Sequence, residues 1–515
     1  MTWSDGYVTE LGYVHQCYKE LSPLVMDLAL KYQMHAVRPS RPLRYLELGF
    51  GQGLSLNIHA AAMNGEFWGT DFNPSHAAHA SELARVSGSG AVILDDSFAE
   101  LAERSDLPEF DIIALHGIWS WVSEANRRVI VDIARRKLAP GGILYMSYNT
   151  MPGWAAALPV RNLMLLHNEL GDKTAAALPG RIDSTINFAQ KLSELGGAYF
   201  DNQLAVKDWL KSLGGGQRSY LAHEYFNADW HPMSFADVAR YLEDAKLTFA
   251  APASYSDLYD AINVTNQQQT FLAGISHPVL REAARDFVVN SRFRWDVWVK
   301  GPRALHPTRQ AEVLKSIRLV LTSQVADVPL KVTGTQFAAN LSPQVAKMAL
   351  ETLAADAFVP KSIGDIAGNI PGIEFAHLMQ TLILLAGTGR VAPAQSESEA
   401  RMAKPKADAL NAHLLRCAID GVYDAAPIYL ASPVTGGGVS ASGFEPFFLL
   451  SRMAGAKTPE EWAQDAWKLM LERRICVIEQ GRALATGEEN VRALAVHARN
   501  FAEARLPVLQ ALMVA

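Results

Sequence analysis

A glycine-rich stretch is the part of the sequence whose residue types and spacing best suit ligand binding. It reads Glu47-Leu-Gly-Phe-Gly-Gln-Gly53, at the end of an apolar run and just before a helical pattern that begins near Leu54. Glycines at these positions let the backbone turn sharply and let a ligand approach the main chain. The amide groups of such a loop, and the N-terminus of the following helix, then face the ligand. The stretch therefore predicts a nucleotide-type site at the end of a strand.

Acidic side chains stand at the ends of the next two apolar runs. Asp71 follows the last glycine of the loop by 18 residues, and a carboxylate there can accept hydrogen bonds from both ribose hydroxyls. Phe72 can pack on an adenine face. Asp96 and Ser97 are placed to read the adenine edge, and Asp95 is an alternative to Asp96 in that role. These positions predict a ligand that contains adenosine.

Two cofactor classes compete for this pattern. A nicotinamide fingerprint, GxGxxG, needs its third glycine at position 54, where the sequence has Leu54. The pattern present, ExGxGxG, resembles motif I of the class I S-adenosylmethionine (AdoMet)-dependent methyltransferases. The resemblance implies AdoMet as cofactor and S-adenosylhomocysteine (AdoHcy) as product, with no metal. The cofactor-binding residues that it implies are Glu47, Gly49, Gly51, Gly53, Asp71, Phe72, Asp96 and Ser97.

Alternating apolar runs and helical patterns must position these residues. Helical patterns lie near 54–63, 75–86 and 124–138, between runs that are short, apolar and strand-like. Such alternation is typical of βαβ units with a parallel sheet covered on both faces. We therefore expect a doubly wound, Rossmann-like α/β domain. The strand-like runs are 43–49, 66–71, 91–95, 110–116 and 143–148.

Further strings narrow the family. They are the segments 13–23, 116–122, 147–154, 223–226 and 290–294. They resemble bacterial methyltransferases that carry a methyltransferase regulatory domain, a group that includes the rickettsial outer-membrane-protein lysine methyltransferases. The resemblance implies a protein substrate methylated on lysine side chains, and a homodimer.

The same resemblance implies catalytic residues at the ends of the fourth and fifth strands. In this class the C-terminal ends of the fourth and fifth strands flank the sulfonium of AdoMet, and here those ends carry His116 and Asn149. Tyr148 lies beside Asn149. His116 is either a general base or a residue that only bonds its neighbours. Asn149 is either a site residue or the cap of the turn that Pro152 begins.

Aromatic residues near these strand ends predict a pocket for the acceptor. Trp119, Trp121, Tyr148 and Trp154 can surround a lysine amine, and an apolar pocket lowers the amine's pKa by disfavouring its charged form. Aromatic faces also attract a methylated cation. Tyr18, with His15 nearby, can fold over the cofactor from the N-terminal segment. The alternative is that the tryptophans are core wall residues and that Tyr18 and His15 form the inner face of that segment.

Beyond the first half, the pattern is mostly helical and predicts accessory domains. A low-complexity stretch, 393–408, is interpreted as a link. The module before it resembles a winged helix, but its longer helix from Glu374 carries no lysine or arginine, so we expect a scaffold or protein-binding role. The predicted boundaries are an N-terminal segment 1–42, a catalytic domain 43–155, a connector 156–218, a regulatory domain 219–305, a winged-helix-like module 306–395 and a C-terminal domain 396–515.

Composition sets limits on function. The 515 residues include 47 Lys and Arg against 53 Asp and Glu, a formal net charge of −6, which argues against nucleic acid as main partner. Three cysteines without a CxxC pair fit a reducing compartment. The sequence shows no secretory signal and no membrane-spanning run, so a cytoplasmic location is expected. His223 and Glu224 could begin the metalloprotease motif HExxH, but that motif needs a histidine at position 227, where the sequence has Asn227.

The sequence thus predicts an AdoMet-dependent methyltransferase, with protein lysine side chains as acceptors. One alternative is a small-molecule N- or O-methyltransferase. The other is a non-catalytic AdoMet-responsive binding protein, in which the C-terminal half makes the interaction that the cofactor regulates.

Overall fold

The computed structural model describes residues 6–7, 14–36, 42–171, 178–423 and 427–515. Tyr13, which opens the N-terminal string, lies outside the described residues, as does part of the predicted segment 1–42. Within the described part, the main sheet has seven strands in the order β3-β2-β1-β4-β5-β7-β6. These strands are β1 Leu43–Leu48, β2 Gly65–Thr70, β3 Val92–Leu94, β4 Phe110–Leu115, β5 Leu138–Asn149, β6 Leu247–Pro252 and β7 Phe293–Lys300.

The first five strands are parallel, which confirms the Rossmann-like prediction. Alternate residues of each strand enter two different cores, as the two-residue period of a strand requires. Ile112 and Ala114 of β4 belong to one core, and Ile113 and Leu115 belong to the other. The strand order reverses between β1 and β4, and ligands of open α/β sheets bind at the carboxyl ends of the strands at such a point.

Helices cover both faces of this sheet and build the remainder of the chain. In chain order they are α1 Pro23–Tyr32, α2 Leu54–Ala62, α3 Pro74–Ser87, α4 Phe98–Glu103, α5 Glu124–Lys137, α6 Leu158–Leu170, α7 Leu178–Glu194, α8 Ala198–Asp201, α9 Leu204–Leu213, α10 Arg218–Tyr225, α11 Phe235–Glu243, α12 Asn266–Ala273, α13 Pro278–Val289, α14 Pro307–Ser316, α15 Pro343–Phe358, α16 Ile363–Gly368, α17 Phe375–Gly387, α18 Glu397–Ile419, α19 Glu445–Met453, α20 Pro459–Glu472, α21 Gly487–Asn500 and α22 Leu506–Ala511. Short 3-10 turns occur at Lys19–Leu21, Trp119–Trp121, Tyr255–Leu258, Asp260–Ile262 and Val325–Asp327, and a π-helical turn at Phe501–Arg505.

The predicted regulatory domain, 219–305, contributes strands to the main sheet. Its strand β7 pairs antiparallel with β5, with Tyr145 opposite Val297, and β6 pairs antiparallel with β7. The expected boundary at residue 155 therefore separates strands that share one hydrogen-bonded sheet.

A second, smaller sheet lies between residues 318 and 394. It has three antiparallel strands in the order β11-β8-β12, and it packs with α14 to α17 into the same large core as one face of the main sheet. The remaining strands are β8 Arg318–Leu321, β9 Lys331–Thr333, β10 Ala338–Asn340, β11 Lys361–Ser362, β12 Val391–Ala394, β13 Ile428–Ser432, β14 Gly437–Ala441, β15 Ile478–Glu479 and β16 Arg482–Ala483.

The structure corrects the interpretation of 393–408 as a link. Most of this stretch belongs to α18, which begins with a capping box between Ser396 and Glu399 and contains Pro405 in its interior. Ala400 and Ala407 of α18 are buried in a core that also contains residues of α2 and α3. The C-terminal part therefore packs directly on the helices that flank the glycine loop. No helix in the described ranges combines the length and apolar character needed to cross a bilayer.

Candidate active site

The glycine loop joins β1 to α2 in a conformation that needs glycine. Gly49, Gly51 and Gly53 have φ values of 71°, 58° and 71°, a region that other L-residues rarely adopt. A Cβ atom at Gly49 would lie 2.3 Å from Ile118 Cδ1, and one at Gly53 would lie 2.4 Å from the Cβ of Ala80. The loop is therefore fixed by both its dihedral angles and the close approach of neighbouring segments.

Asp71, at the end of β2, holds this loop in place. One carboxylate oxygen accepts from the Gly51 amide at 2.8 Å, and the other accepts from the Asn73 amide at 3.1 Å and lies 3.2 Å from His76 Nδ1. A carboxylate has about four acceptor positions, so one remains for a ligand. Phe72, the next residue, contacts the ring edge of Tyr7 at a centroid distance of 5.7 Å.

Two adjoining cavities surround the loop. The inner cavity, about 60 Å³, is lined by Glu47, Gly51 and His116 among others. The outer cavity, about 200 Å³, is lined by Phe72 and Asp96 among others. The residues that line both cavities are Tyr7, Gly49, Asp71, Gly117, Ile118 and Trp121. All predicted cofactor residues except Gly53, whose role is packing against Ala80, line one or both cavities.

The structure distinguishes Asp96 from its alternative. Asp96 lines the outer cavity and pairs with Arg104 at 3.1 Å, whereas Asp95 is exposed and lines neither the inner nor the outer cavity. Ser97 caps α4 through a capping box with Glu100 and also lines the outer cavity.

His116 follows β4 and lines the inner cavity. Its Nδ1 lies 2.8 Å from the hydroxyl of Tyr145, and the ring of Tyr18 stacks on it. Burial lowers the pKa of His116 to about 3. The imidazole is therefore neutral at physiological pH.

The residues predicted near the end of β5 lie on opposite faces of the strand. Tyr145 and Asn149 share one face, whereas Tyr148 points to the other, because side chains alternate along a strand. The Tyr148 hydroxyl donates to Asp296 at 2.6 Å in a fully buried cluster, away from both cavities. Asn149 is buried behind the inner cavity, where it accepts from Trp154 Nε1 at 2.9 Å.

Of the predicted tryptophans, one lines the cavities and two lie in hydrophobic cores. Trp121 lines both cavities, and its Nε1 donates to the backbone oxygen of Glu224 at 3.2 Å. Trp119 is fully buried against Tyr241, and Trp154 packs on Trp230 in another core. These two residues line neither cavity, so direct substrate contact does not fit their position; core packing accounts for them.

Helix α10 supplies site residues that the sequence analysis did not identify. Tyr220, His223 and Glu224 line the inner cavity. Burial raises the pKa of Glu224 to about 7, and Asn149 Nδ2 donates to its carboxylate at 3.4 Å. Positions 220, 223 and 224 share one helical face, and that spacing was the available signal. His15, in contrast, lies beside His79 and Tyr423 and does not line either cavity.

The donor set fits AdoMet. Asp71 offers its remaining acceptor position to one ribose hydroxyl and Asp96 offers an acceptor for an exocyclic amine, whereas Phe72, Phe98 and Ile118 offer apolar contacts for adenine. Glu47 lies at the opposite, inner end, where its carboxyl group can pair with the cationic part of AdoMet once the bound cation favours the charged form over the protonated one. Its pKa is raised to about 8 by burial, although the Tyr45 hydroxyl donates to it at 3.2 Å.

Comparisons with known proteins agree with this geometry. Residues 46–146 match the family model described as "Methyltransferase domain", and 217–300 match the one described as "Predicted methyltransferase regulatory domain". The chain is 35% identical to the uncharacterized protein sll1526 of Synechocystis sp. over 514 residues, 99% of each chain. It is 26% identical to the uncharacterized protein RP789 of Rickettsia prowazekii over 303 residues, 56% of this chain and 51% of that one.

A solved structure shares the whole fold. PKMT2 from Rickettsia typhi in complex with AdoHcy matches with a TM-score of 0.70 and 16% identity, over 98% of this chain and 99% of that chain. The chain belongs to the class I AdoMet-dependent methyltransferases that carry a methyltransferase regulatory domain.

Proposed function

We propose that this methyltransferase modifies lysine side-chain amines of a protein substrate and that Glu224 takes the proton from the lysine. The observation that carries the proposal is the position of Glu224. It is a half-buried carboxylate of the regulatory region that lines the inner cavity together with His116 and the aromatic rings of Tyr18 and Trp121. The resemblance to rickettsial lysine methyltransferases, and the likeness to PKMT2, support the same acceptor.

The chemistry requires a neutral amine. Bound AdoMet supplies a sulfonium methyl group that an amine lone pair attacks in line, with the S–C electron pair returning to sulfur. A lysine with a pKa of about 10.4 arrives as an ammonium ion. The protein must therefore remove one proton and hold the amine in line with the methyl group.

Two side chains of the inner cavity compete for that proton. A general base works best when its pKa lies near the operating pH. The pKa of Glu224 is raised to about 7 by burial, whereas that of His116 is lowered to about 3. Proton transfer from a lysine ammonium to Glu224 is therefore far less unfavourable than transfer to His116. We assign the base role to Glu224, and to neutral His116 the role of positioning the amine.

The surrounding rings suit the rest of the reaction. An aromatic, partly dry wall disfavours the ammonium form of the incoming lysine. The same ring faces attract the methylated cation that forms. Tyr18, Trp121 and Tyr220 supply this wall.

The outer parts of the chain have roles in the same proposal. We propose that 306–395 is a winged-helix-like module for protein binding, because a three-stranded antiparallel sheet packs there on α14 to α17. The buried apolar side of α17 fits scaffolding better than DNA reading. The predicted domain boundaries other than the one at residue 155, a homodimer and a cytoplasmic location complete the proposal.

Methyl transfer into cell extract tests the acceptor. The enzyme and radiolabelled AdoMet are incubated with extract, and protein and small molecules are then separated by size. We expect label in protein that is recovered as methyl-lysine after acid hydrolysis, and its loss when the extract's amines are acetylated beforehand. Label confined to small molecules, or label that survives acetylation, would contradict the lysine acceptor.

A further inference from the structure

The segment 14–22 separates the inner cavity from another cavity on its far side. Val14, Gln16 and Tyr18 line the inner cavity, whereas Cys17 and Lys19 line the other. This alternation is that of extended chain, whose side chains point to opposite sides in turn. We call the second space, of about 200 Å³, the hairpin cavity, because the hairpin β13–β14 forms one of its walls.

Distant parts of the chain build the hairpin cavity. His59 of α2, Tyr255, Val391 of β12 and Val439 of β14 all line it. It therefore lies where the helix after the glycine loop, the N-terminal segment, the small sheet and the C-terminal part meet. A ligand here would contact all four.

Two residues that line the hairpin cavity each carry a buried polar atom without a partner among the described residues. His59 is fully buried and Ser22 is 4% exposed, and both line the cavity. Among the described residues, no hydrogen-bond partner reaches His59 Nε2 or Ser22 Oγ. Buried polar atoms are nearly always paired, so these two mark a place for a ligand atom.

The chemistry of His59 defines that ligand atom. Its Nδ1 lies 2.9 Å from the backbone oxygen of Gly436, to which it must donate. Burial lowers the pKa of His59 to about 4, so the ring is neutral. Nε2 is then a bare acceptor, and it requires an O–H or N–H group from the ligand.

The rim of the hairpin cavity is positively charged and therefore suits a negatively charged group of the ligand. Lys19 and Arg390 are exposed and line the cavity, and no Asp or Glu is among the described residues that do so. Between rim and floor the wall is mainly apolar, with Val25, Ala386 and Val439. The arrangement suits a molecule with a negative end, an apolar middle and a donor at the far end.

We propose that the hairpin cavity binds a small hydroxy acid, its carboxylate at Lys19 and Arg390 and its hydroxyl donating to His59 Nε2. An apolar cavity of about 150 Å³ holds benzene, so the larger hairpin cavity admits a molecule the size of 4-hydroxybenzoate. The site is coupled to catalysis by the chain itself, because Cys17 borders the hairpin cavity and the next residue, Tyr18, stacks on His116.

Calorimetric titration of the full-length protein tests the site without needing the methyl acceptor. The probes are lactate, mandelate and 4-hydroxybenzoate, each compared with its deoxy acid, namely propionate, phenylacetate and benzoate. We expect at least one hydroxy acid to bind with a Kd of about 1 mM or tighter, and its deoxy acid about tenfold more weakly. Absence of binding by all three hydroxy acids, or equal binding of each pair, would overturn the proposal.

Variants locate the binding. Arg390→Ala and His59→Phe should each weaken the hydroxy acid about tenfold, and Arg309→Ala, a change at another exposed arginine, should not. Because His59→Phe alters a buried position, Arg390→Ala at the exposed rim decides the test if the former fails to fold. Unchanged affinity in Arg390→Ala would overturn the assignment to this cavity.

Coupling is measured through AdoMet. If the segment 14–22 links the two cavities, the bound hydroxy acid changes the Kd of AdoMet several-fold, and AdoMet changes the Kd of the acid by the same factor. An unchanged AdoMet Kd at saturating acid would overturn the coupling. Both measurements are binding measurements, so their outcome is independent of whether lysine is the acceptor.

Discussion

The ring of Tyr18 stacks on the imidazole of His116, with centroids 3.9 Å apart and planes inclined by 24°. The backbone amide of Tyr18 also donates to Ser55 Oγ on α2 at 3.0 Å. The N-terminal segment is thereby fixed against both the end of β4 and the helix that follows the glycine loop. One side chain thus covers the inner cavity from outside the Rossmann-like core.

Removal of this ring should impair turnover. Tyr18→Leu is expected to lower kcat/KM about tenfold, because a stacked aromatic pair contributes up to about 1.5 kcal/mol beyond simple burial. Tyr18→Phe keeps the ring and should stay closer to the wild type. Steady-state kinetics at saturating AdoMet measure both variants. Equal loss in the two variants would show that the hydroxyl, and not the stacking, matters.

Glu224 should control the pH dependence of the reaction. Its pKa is raised to about 7, and only the carboxylate accepts a proton, so kcat/KM should rise as pH increases through about 7. Glu224→Gln should lower kcat by about 100-fold or more and abolish this rise. The exposed Glu243→Gln is the matched control and should keep the wild-type profile. A wild-type pH profile in Glu224→Gln would show that another group is the general base.

Asp71 should determine both cofactor affinity and loop order. Asp71→Ala removes the acceptor for the Gly51 and Asn73 amides, and leaving such donors unpaired costs about 1–3 kcal/mol each. We expect AdoHcy binding to weaken by about 100-fold, together with a lower Tm. Calorimetry with AdoHcy and thermal unfolding provide the two readouts. Full affinity in this variant would place the ribose elsewhere.

The neighbouring acids Asp95 and Asp96 provide a matched pair. Asp96→Ala should weaken AdoHcy about tenfold or more, because a hydrogen bond to a charged group contributes about 1.5–3 kcal/mol. Asp95→Ala should leave the Kd unchanged, since Asp95 is exposed and borders neither the inner nor the outer cavity. The reverse order of effects in the same calorimetric titration would exchange the two roles.

Glu47 should make stability depend on pH. Burial raises its pKa from 4.5 in the unfolded chain to about 8 in the folded protein. The folded state then holds a proton that the unfolded state has lost, so the free energy of unfolding must fall as pH rises from about 5 to about 8. Glu47→Gln removes this slope. Urea unfolding of both proteins at pH 5 and pH 8 measures the difference, and parallel pH slopes would contradict it.

The sequence predicted the first half of the sheet well because its strands are apolar and separated by clear helical patterns. The expected runs 43–49 and 110–116 became β1 Leu43–Leu48 and β4 Phe110–Leu115. Strand β7 escaped prediction because Arg294 and Asp296 interrupt its apolar character. In the fold these two charges are buried and pair with each other at 2.9 Å, and Asp296 also accepts from the hydroxyl of Tyr148, a distant partner that no local pattern reveals.

The site was predictable where main-chain motifs define it and not where distant segments meet. The glycine loop and Asp71 could be placed from spacing alone. Tyr148 and Asn149 are adjacent in a strand and therefore point to opposite faces, but which of them lies on the cavity side depends on strand register, which composition does not give. Glu224 lies in a helix 108 residues after His116, and only the tertiary fold brings both residues to one cavity.

Because β5 pairs with β7, the methyltransferase domain at 46–146 and the regulatory domain at 217–300 form a single folded unit. Seven backbone pairs, from Ile143 with Val299 to Asn149 with Phe293, join them. A gene fragment ending at residue 155 would encode a sheet whose edge strand offers its unpaired amides and carbonyls to other chains, a route to aggregation. The regulatory region cannot be exchanged among relatives like a detachable sensor, because it is a wall of the catalytic fold.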